Sequence, residues 1–254
     1  PLIISESGRA LIGYYSVLLM NVLGTATFER NALPGDIPED LPAPLANLLE
    51  VARTLRAKNL QEYFNDALYY RDEIFAAFSH GQITLRQRAL GDQIFWHILT
   101  RIAAETRTMK VVPVELANLP DIMADVYYCN FSVFQSLPDV WAIDQLFPIM
   151  PIHRLSEKPQ RLAYLTDITC DCDGKIDRFI DLHGVNRTLP VHAVERGEQY
   201  VLGAFLVGAY QETLGDLHNL FGDTNVVSVR VDEDGEIEYV EEVDGDSVAD
   251  VLSY

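Results

Sequence analysis

The sequence predicts an α+β protein: a short strand-and-helix stub, a helical bundle, and a β-barrel or sandwich domain. Three observations carry this. Apolar residues recur at i, i+3, i+4 and i+7 from Leu45 to about Thr108, the spacing of amphipathic helices. After Pro113 that period stops and short strand-like runs follow one another. No apolar run reaches the ~18 residues of a membrane-crossing helix, and the longest, "LIGYYSVLLMNVLG", is expected in a core.

In chain order, residues 2–5 read as a short buried strand, followed by "ESGRA" and an apolar segment through Leu23. The loop "LPGDIPEDLPAP" follows, whose prolines break any helix or central strand. Gly81 and Gly91 punctuate the helical stretch, which predicts three or four helices packed as a bundle. Beyond it, "MADVYYCNFSVFQS", "RLAYLTDITC", "DRFIDL", "RTLPVHAV" and "QYVLGAFLVGAY" read as strands. "VVSVRVDEDGEIEYVEEV" reads as a hairpin turning at Glu233-Asp234-Gly235. The expected divisions are 1–34, 35–112, 113–243 and 244–254, the last a helix pattern just beginning.

Thirty-eight acidic residues against nineteen Lys plus Arg give a net charge of −19. Such a surface repels phosphate backbones and anionic membranes and attracts small cations, which argues against nucleic acid and membrane as partners. Three cysteines (Cys129, Cys170, Cys172) form no disulfide framework, which suits a reducing, cytoplasmic setting.

Ten residues, "ITCDCDGKID", hold two cysteines and three carboxylates. Zinc needs two pairs at C-x₂₋₄-C spacing, and here Cys170-x-Cys172 stands alone; an EF-hand needs its Gly later and a Glu at the twelfth position, where Leu182 stands. A thioredoxin-type pair needs C-x-x-C, so no metal and no redox pair is expected. On its own residues the stretch is a tight turn around Asp173-Gly174, and why Cys170 and Asp171 stand at a strand mouth stays open. "SESGR" is either a plain turn or an acid and base around a glycine that lets backbone amides approach an anion. "GAYQETLG" is a strand-to-helix corner with Tyr210 either in the core or at a site.

Together, in this order and separation, "SESGRA", "YCNFSVFQSLPDVWAIDQLFPIMP", "LTDITCDCDGKID" and "VGAYQETLGDLHNLFGD" resemble the C-terminal part of the biosynthetic arginine decarboxylases. These belong to the fold-type III, alanine-racemase-like group of pyridoxal 5′-phosphate (PLP) enzymes. The resemblance covers most of the chain and is loosest in the helical insert and in "LHGVNRTLPVHAVERGEQ". It implies that residues 1–34 close a PLP-binding (β/α)₈ barrel, with the bundle and the β domain behind it and C-terminal helices beginning at 244–254.

The resemblance also implies roles. Glu6 matches the acid paired with the cofactor's pyridine nitrogen; Ser7, Gly8, Arg9 and Tyr210 match the groups that hold its phosphate. Cys170 matches a cysteine that reaches the partner subunit's active site and returns a proton to the substrate. Asp171 matches the aspartate that binds the guanidinium of L-arginine, a geometry suited to two parallel charge-assisted bonds. Asp173 is either a second guanidinium contact or the turn residue. Implied with these are a homodimer or higher homo-oligomer, agmatine and CO₂ as products, and a place in polyamine synthesis. Family members often respond to Mg²⁺, but no ligand set for it stands out here.

This sequence departs from the family at Cys172, where a serine is expected, and at Tyr14 and Tyr15, where paired histidines are common. The cofactor-anchoring lysine has no match: Lys58, Lys110, Lys158 and Lys175 all lie elsewhere. The chain alone is therefore expected to be inactive, awaiting a missing N-terminal barrel of the same polypeptide. The alternatives are a decarboxylase of ornithine, lysine or carboxynorspermidine, a non-catalytic decarboxylase-like regulator, and an acidic polyamine-binding module.

Overall fold

The computed structural model describes residues 1–28, 32–215, 217 and 219–253. The chain divides into two compact units: Pro1–Ala26 with Asp125–Tyr254, and Thr27–Ala124.

The first unit opens differently from expectation. Residues 2–5 form no strand, and Leu2, Ile3 and Ile4 are 84–89% exposed. A strand needs a neighbour to take its N–H and C=O groups, and among the described residues no strand of the chain pairs with this segment. Helix α1 (Gly8–Ile12) and a 3₁₀ turn (Gly13–Tyr15) lead into strand β1 (Val17–Ala26). Of "LIGYYSVLLMNVLG" only Gly13, Met20 and Val22 are buried, whereas Tyr14 and Tyr15 are exposed. The stretch is thus a helix and a sheet strand, which together offer one edge to the core.

The second unit is helical: α2 (Ala43–Thr54), α3 (Leu60–Ser79), α4 (Leu85–Thr106), α5 (Val114–Ala117) and α6 (Leu119–Ile122). Its core gathers the periodic positions, among them Leu45, Leu48, Phe64, Ile94 and Ile98. Gly81, at φ +70°, makes the reversal between α3 and α4. The α4 start is a capping box, with the Gln87 N–H donating to Thr84 Oγ1 (3.2 Å) and the Thr84 N–H to Gln87 Oε1 (2.8 Å). Gly91 does not punctuate. It lies inside α4, where a Cβ would stand 3.0 Å from Ile74 Cδ1, so its smallness serves close packing on α3. Arg101 of α4 closes the end of α2 by donating to the Ala52 and Leu55 carbonyls (2.8 and 3.1 Å).

The chain then returns to the first unit with β2 (Asp125–Cys129), α7 (Val133–Ser136), α8 (Pro138–Ile143), β3 (Ile149–Pro151), β4 (Arg161–Thr166) and β5 (Lys175–Ile176). Next come β6 (Phe179–Asp181), β7 (Gly184–Asn186), β8 (Leu189–Val191), β9 (Val201–Phe205) and α9 (Gln211–Leu214). The hairpin β10 (Val226–Val231) and β11 (Ile237–Val243) and helix α10 (Val248–Ser253) finish it. Seven strands form one sheet in the order β3-β9-β1-β2-β4-β5, with β8 also on β4. Only β2 and β4 run parallel; the other pairs are antiparallel. β3 comes beside β8, so the sheet nearly closes into a barrel around Met20, Tyr127, Cys129, Leu165 and Leu202.

Several expected strands are shorter than read, and in two of them the cause is visible. "YYCNFSVFQS" leaves the sheet at Cys129, because Ser132 Oγ accepts the Gln135 N–H (3.3 Å) and starts α7. "QYVLGAFLVGAY" leaves it at Phe205, where Leu206 takes φ +64°. The hairpin turn falls on Glu233-Asp234-Gly235, with Gly235 at φ +86° and Asp232 Oδ1 accepting the Asp234 and Glu236 N–H groups (2.9 and 2.8 Å).

Candidate active site

Two clusters within the first unit hold the residues singled out in the sequence. The first is built where α1 lies against the turn after β9. Gly208 has no room for a side chain there: a Cβ would stand 2.3 Å from the Ile12 carbonyl oxygen. This close approach, with the Gly208 N–H donating to Gly13 O (2.9 Å), brings Gly8 and Arg9 to Tyr210. A Cβ at Gly8 would meet the Tyr210 hydroxyl at 3.4 Å, and the Arg9 guanidinium sits 5.1 Å from the Tyr210 ring centroid. Tyr210 itself takes φ +71°, a left-handed conformation unfavourable for a bulky side chain.

Arg9 is anchored from behind. Its Nη2 donates to Asp139 Oδ2 (2.9 Å), and Asp139, at the start of α8, is 4% exposed. Gln211 Nε2 donates to the same oxygen (2.7 Å) and to Ala209 O (3.1 Å), while Gln211 Oε1 accepts the Asp139 N–H (3.2 Å). Arg9 Nη1 is buried and has no hydrogen-bond partner among the described residues. A buried donor left unpaired costs about 1–3 kcal/mol, so the position calls for an acceptor from outside the described residues. Arg9 Nη1, the bare Gly8 backbone and the Tyr210 hydroxyl together fit a phosphate group. Ser7 Oγ is occupied with Ser5 Oγ (2.9 Å), and Glu6 is exposed on the unpaired N-terminal segment.

The second cluster is the turn between β4 and β5, framed by an aspartate that sequence reading passed over. Asp167 is 5% exposed; Oδ2 accepts the Val133 N–H (2.9 Å) and Oδ1 accepts from the Thr169 N–H and Oγ1 (2.9 and 2.7 Å). Gly174 closes the frame: its carbonyl accepts the Asp167 N–H (2.8 Å), and a Cβ there would stand 2.2 Å from Asp167 Oδ1. On this frame Asp171 Oδ1 accepts the Asp173 N–H (2.9 Å), a local turn bond. Cys170, Asp171, Cys172 and Asp173 are all exposed. Asn219 Nδ2 donates to Cys170 Sγ (3.3 Å). Asp173 also lines an open cleft of about 290 Å³ with Trp141, Asp144, Lys175, Asp177 and Arg178. Asp144 and Asp177 are already paired there with Arg178 and Lys175 (both 3.0 Å).

Donor atoms of Asp171, Cys172 and Asp173 lie within 4.8 Å of one another, but all three are exposed and consecutive, a poor metal cage. Among the described residues no hydrogen bond or ion pair joins Cys170, Asp171 or Asp173 to Glu6, Ser7, Arg9 or Tyr210. Sequence reading thus found the groups that face outward and missed Asp139, Gln211 and Asp167, which hold them. All three lie inside the motifs quoted above, and that was their only signal. Asp216 and His218 of the motif "VGAYQETLGDLHNLFGD" lie outside the described residues.

Comparison with known proteins bears on the chain as a whole. The family model described as the arginine decarboxylase helical bundle domain matches residues 38–120. The biosynthetic arginine decarboxylase of Nostoc sp. is 48% identical over 257 residues, covering 100% of this chain and 37% of that protein. That of Bacteroides thetaiotaomicron is 49% identical over 255 residues, covering 100% of this chain and 40% of that protein. Over its whole length this chain is thus similar to the biosynthetic arginine decarboxylases. A solved biosynthetic arginine decarboxylase from Campylobacter jejuni superposes with a TM-score of 0.77 at 32% identity, over 97% of this chain and 39% of that one. The chain therefore spans about two fifths of the length of the arginine decarboxylases it matches. Within it, the matched bundle domain falls on α2–α6, while every candidate site residue lies in the other unit. No helix among the described residues is long and apolar enough to cross a membrane.

Proposed function

We propose that this chain is the C-terminal part of a PLP-dependent arginine decarboxylase, which converts L-arginine to agmatine and CO₂. One observation carries the reading: the neighbours Gly8 and Arg9 meet Tyr210, distant in sequence, beside an unmet buried donor, inside a chain that is 48% identical throughout to a curated biosynthetic arginine decarboxylase. When bound, PLP supplies an electron sink for the electrons that the departing carboxylate leaves behind. Arg9 Nη1, the Gly8 backbone and the Tyr210 hydroxyl hold its phosphate, and Glu6 keeps a proton at its ring nitrogen. Asp171 receives the guanidinium of arginine as a charge-assisted pair, with Asp173 beside it. Cys170 delivers a proton to the α-carbon after CO₂ leaves.

The exposure of Cys170 and Asp171, and their separation from the Arg9 cluster in hydrogen-bonded contacts, support a turn that completes the active site of a second subunit. The anchoring lysine and the rest of the phosphate site belong to the N-terminal barrel of the same polypeptide. The test is made on the full-length protein loaded with PLP. Release of CO₂ and agmatine from L-arginine, with little turnover of ornithine or lysine, is expected. The isolated 254-residue chain should release none. Absence of arginine turnover by the loaded full-length protein would overturn the reading.

A further inference from the structure

We propose that Asp139 and Gln211 are positioning residues for the cofactor phosphate: they turn the Arg9 guanidinium so that Nη2 is consumed within the protein and Nη1 is left free for the ligand. The inference rests on the reading above and extends it to two residues that do not touch the ligand. Three features of the geometry carry it.

First, the pair is built as a closed unit. Gln211 uses both ends of its amide on Asp139, accepting from the backbone N–H and donating to Oδ2, and its second donor contact goes to Ala209 O. An amide wired in this way cannot flip without losing bonds, so the carboxylate it holds has one orientation. Both residues are nearly inaccessible, Asp139 at 4% and Gln211 at 3% exposure.

Second, among the described residues Arg9 is bound through one nitrogen only. A carboxylate facing a guanidinium usually takes two parallel N–H groups. Here a single Nη2 contact at 2.9 Å is made, and Nη1 is left buried and unmet. The guanidinium is thereby held edge-on, which reserves the other arm. Arginine with its carboxylate fully engaged would have less to offer a phosphate.

Third, Gln211 directly follows Tyr210. The same residue that fixes Asp139, and through it Arg9, therefore also fixes the backbone that presents the Tyr210 hydroxyl beside Gly8. Two phosphate-binding side chains from opposite ends of the unit's sequence are registered by one buried amide-carboxylate pair. A change at Asp139 acts through Arg9, whereas a change at Gln211 reaches both side chains.

The experiment uses apoenzyme of the full-length protein, titrated with PLP and with pyridoxal, which lacks the phosphate, and followed by cofactor absorbance. Asp139→Asn is expected to weaken PLP binding about tenfold, as loss of a supporting partner behind a ligand-holding group commonly does, and to leave pyridoxal binding unchanged. In an Arg9→Gln background the Asp139→Asn change should add nothing, since its effect passes through Arg9. Equal weakening of PLP and pyridoxal, an additive loss in the Arg9→Gln background, or unaltered PLP affinity would each overturn the positioning role. If Arg9→Gln itself leaves PLP affinity unaltered, the phosphate assignment of Arg9 falls, and the inference with it. Where Asp139→Asn does not fold, Gln211→Met keeps the Arg9–Asp139 pair but frees the carboxylate to rotate. It should likewise weaken PLP and spare pyridoxal, and equal loss of both would overturn the role.

Discussion

Arg9 and Asp171 are both charged groups assigned to ligand binding, yet the protein holds them in opposite ways. Arg9 reaches its position through side chains: Asp139 from α8 and Gln211 from α9 grip it in a buried network, with the Tyr210 ring beside it. Asp171 reaches its position through backbone: the turn that carries it is pinned at its root by Asp167 and Gly174, and its own side chain makes only a local bond to the Asp173 N–H. The first arrangement places a charge accurately at the cost of tying its geometry to several buried partners. The second leaves the charge exposed and able to meet a group from outside, while stability resides a few residues away. Function and stability are therefore entangled in one cluster and separable in the other.

The sharpest way to break this contrast is at the root of the turn. Asp167→Ala leaves the Val133 and Thr169 N–H groups without their acceptor and should cost about 3 kcal/mol in urea unfolding. A loss as small as that of a surface change would show that the frame is not where the turn's stability lies. Gly174→Ala drives a Cβ against the pinned Asp167 carboxylate and should cost about 2 kcal/mol by the same measurement.

A third test contrasts the cysteines. Burial pushes the Cys129 thiol from its ordinary 9.0 up to about 12, and burial also raises the Tyr127 phenol, whose hydroxyl donates to His192 O (2.6 Å). Both groups are neutral in the fold and ionise more readily when unfolded. Their contribution is complete below about pH 9 and is lost as pH rises through the folded values. Unfolding free energy should therefore drop by about 1 kcal/mol near pH 10 on account of Cys129, a slope that Cys129→Ala removes in part. A slope unaltered by Cys129→Ala would exclude the buried thiol as its source. The smallest effect belongs to the tip: Asp171→Asn keeps an acceptor for the Asp173 N–H and should shift stability by less than about 0.5 kcal/mol, while raising KM for arginine in the full-length enzyme. A large loss of stability would mean that tip and root are not separable.

Periodicity makes the bundle legible, because Leu45, Leu48, Ile94 and Ile98 must all face one core for α2 and α4 to be stable. It fails at Gly91, since a glycine chosen for close contact with Ile74 is indistinguishable in one dimension from a glycine that ends a helix. It fails again at residues 2–5, where strand-like composition finds no neighbour to pair with among the described residues. In the candidate site, Arg9, Cys170, Asp171 and Tyr210 were singled out by the resemblance. Asp139, Gln211 and Asp167 were not. Their significance lies in partners 34 to 130 residues away, such as Val133 for Asp167 and Arg9 for Asp139, and no local spacing encodes those.

Tyr210 carries one more consequence. At φ +71° its backbone would be more relaxed as glycine, by an amount on the order of 1 kcal/mol. An exchange that improves thermal tolerance at this position would remove the hydroxyl beside Gly8. Selection for heat resistance alone would thus favour loss of a hydroxyl that the proposed phosphate site uses, so directed evolution of this chain must screen for stability and ligand binding together.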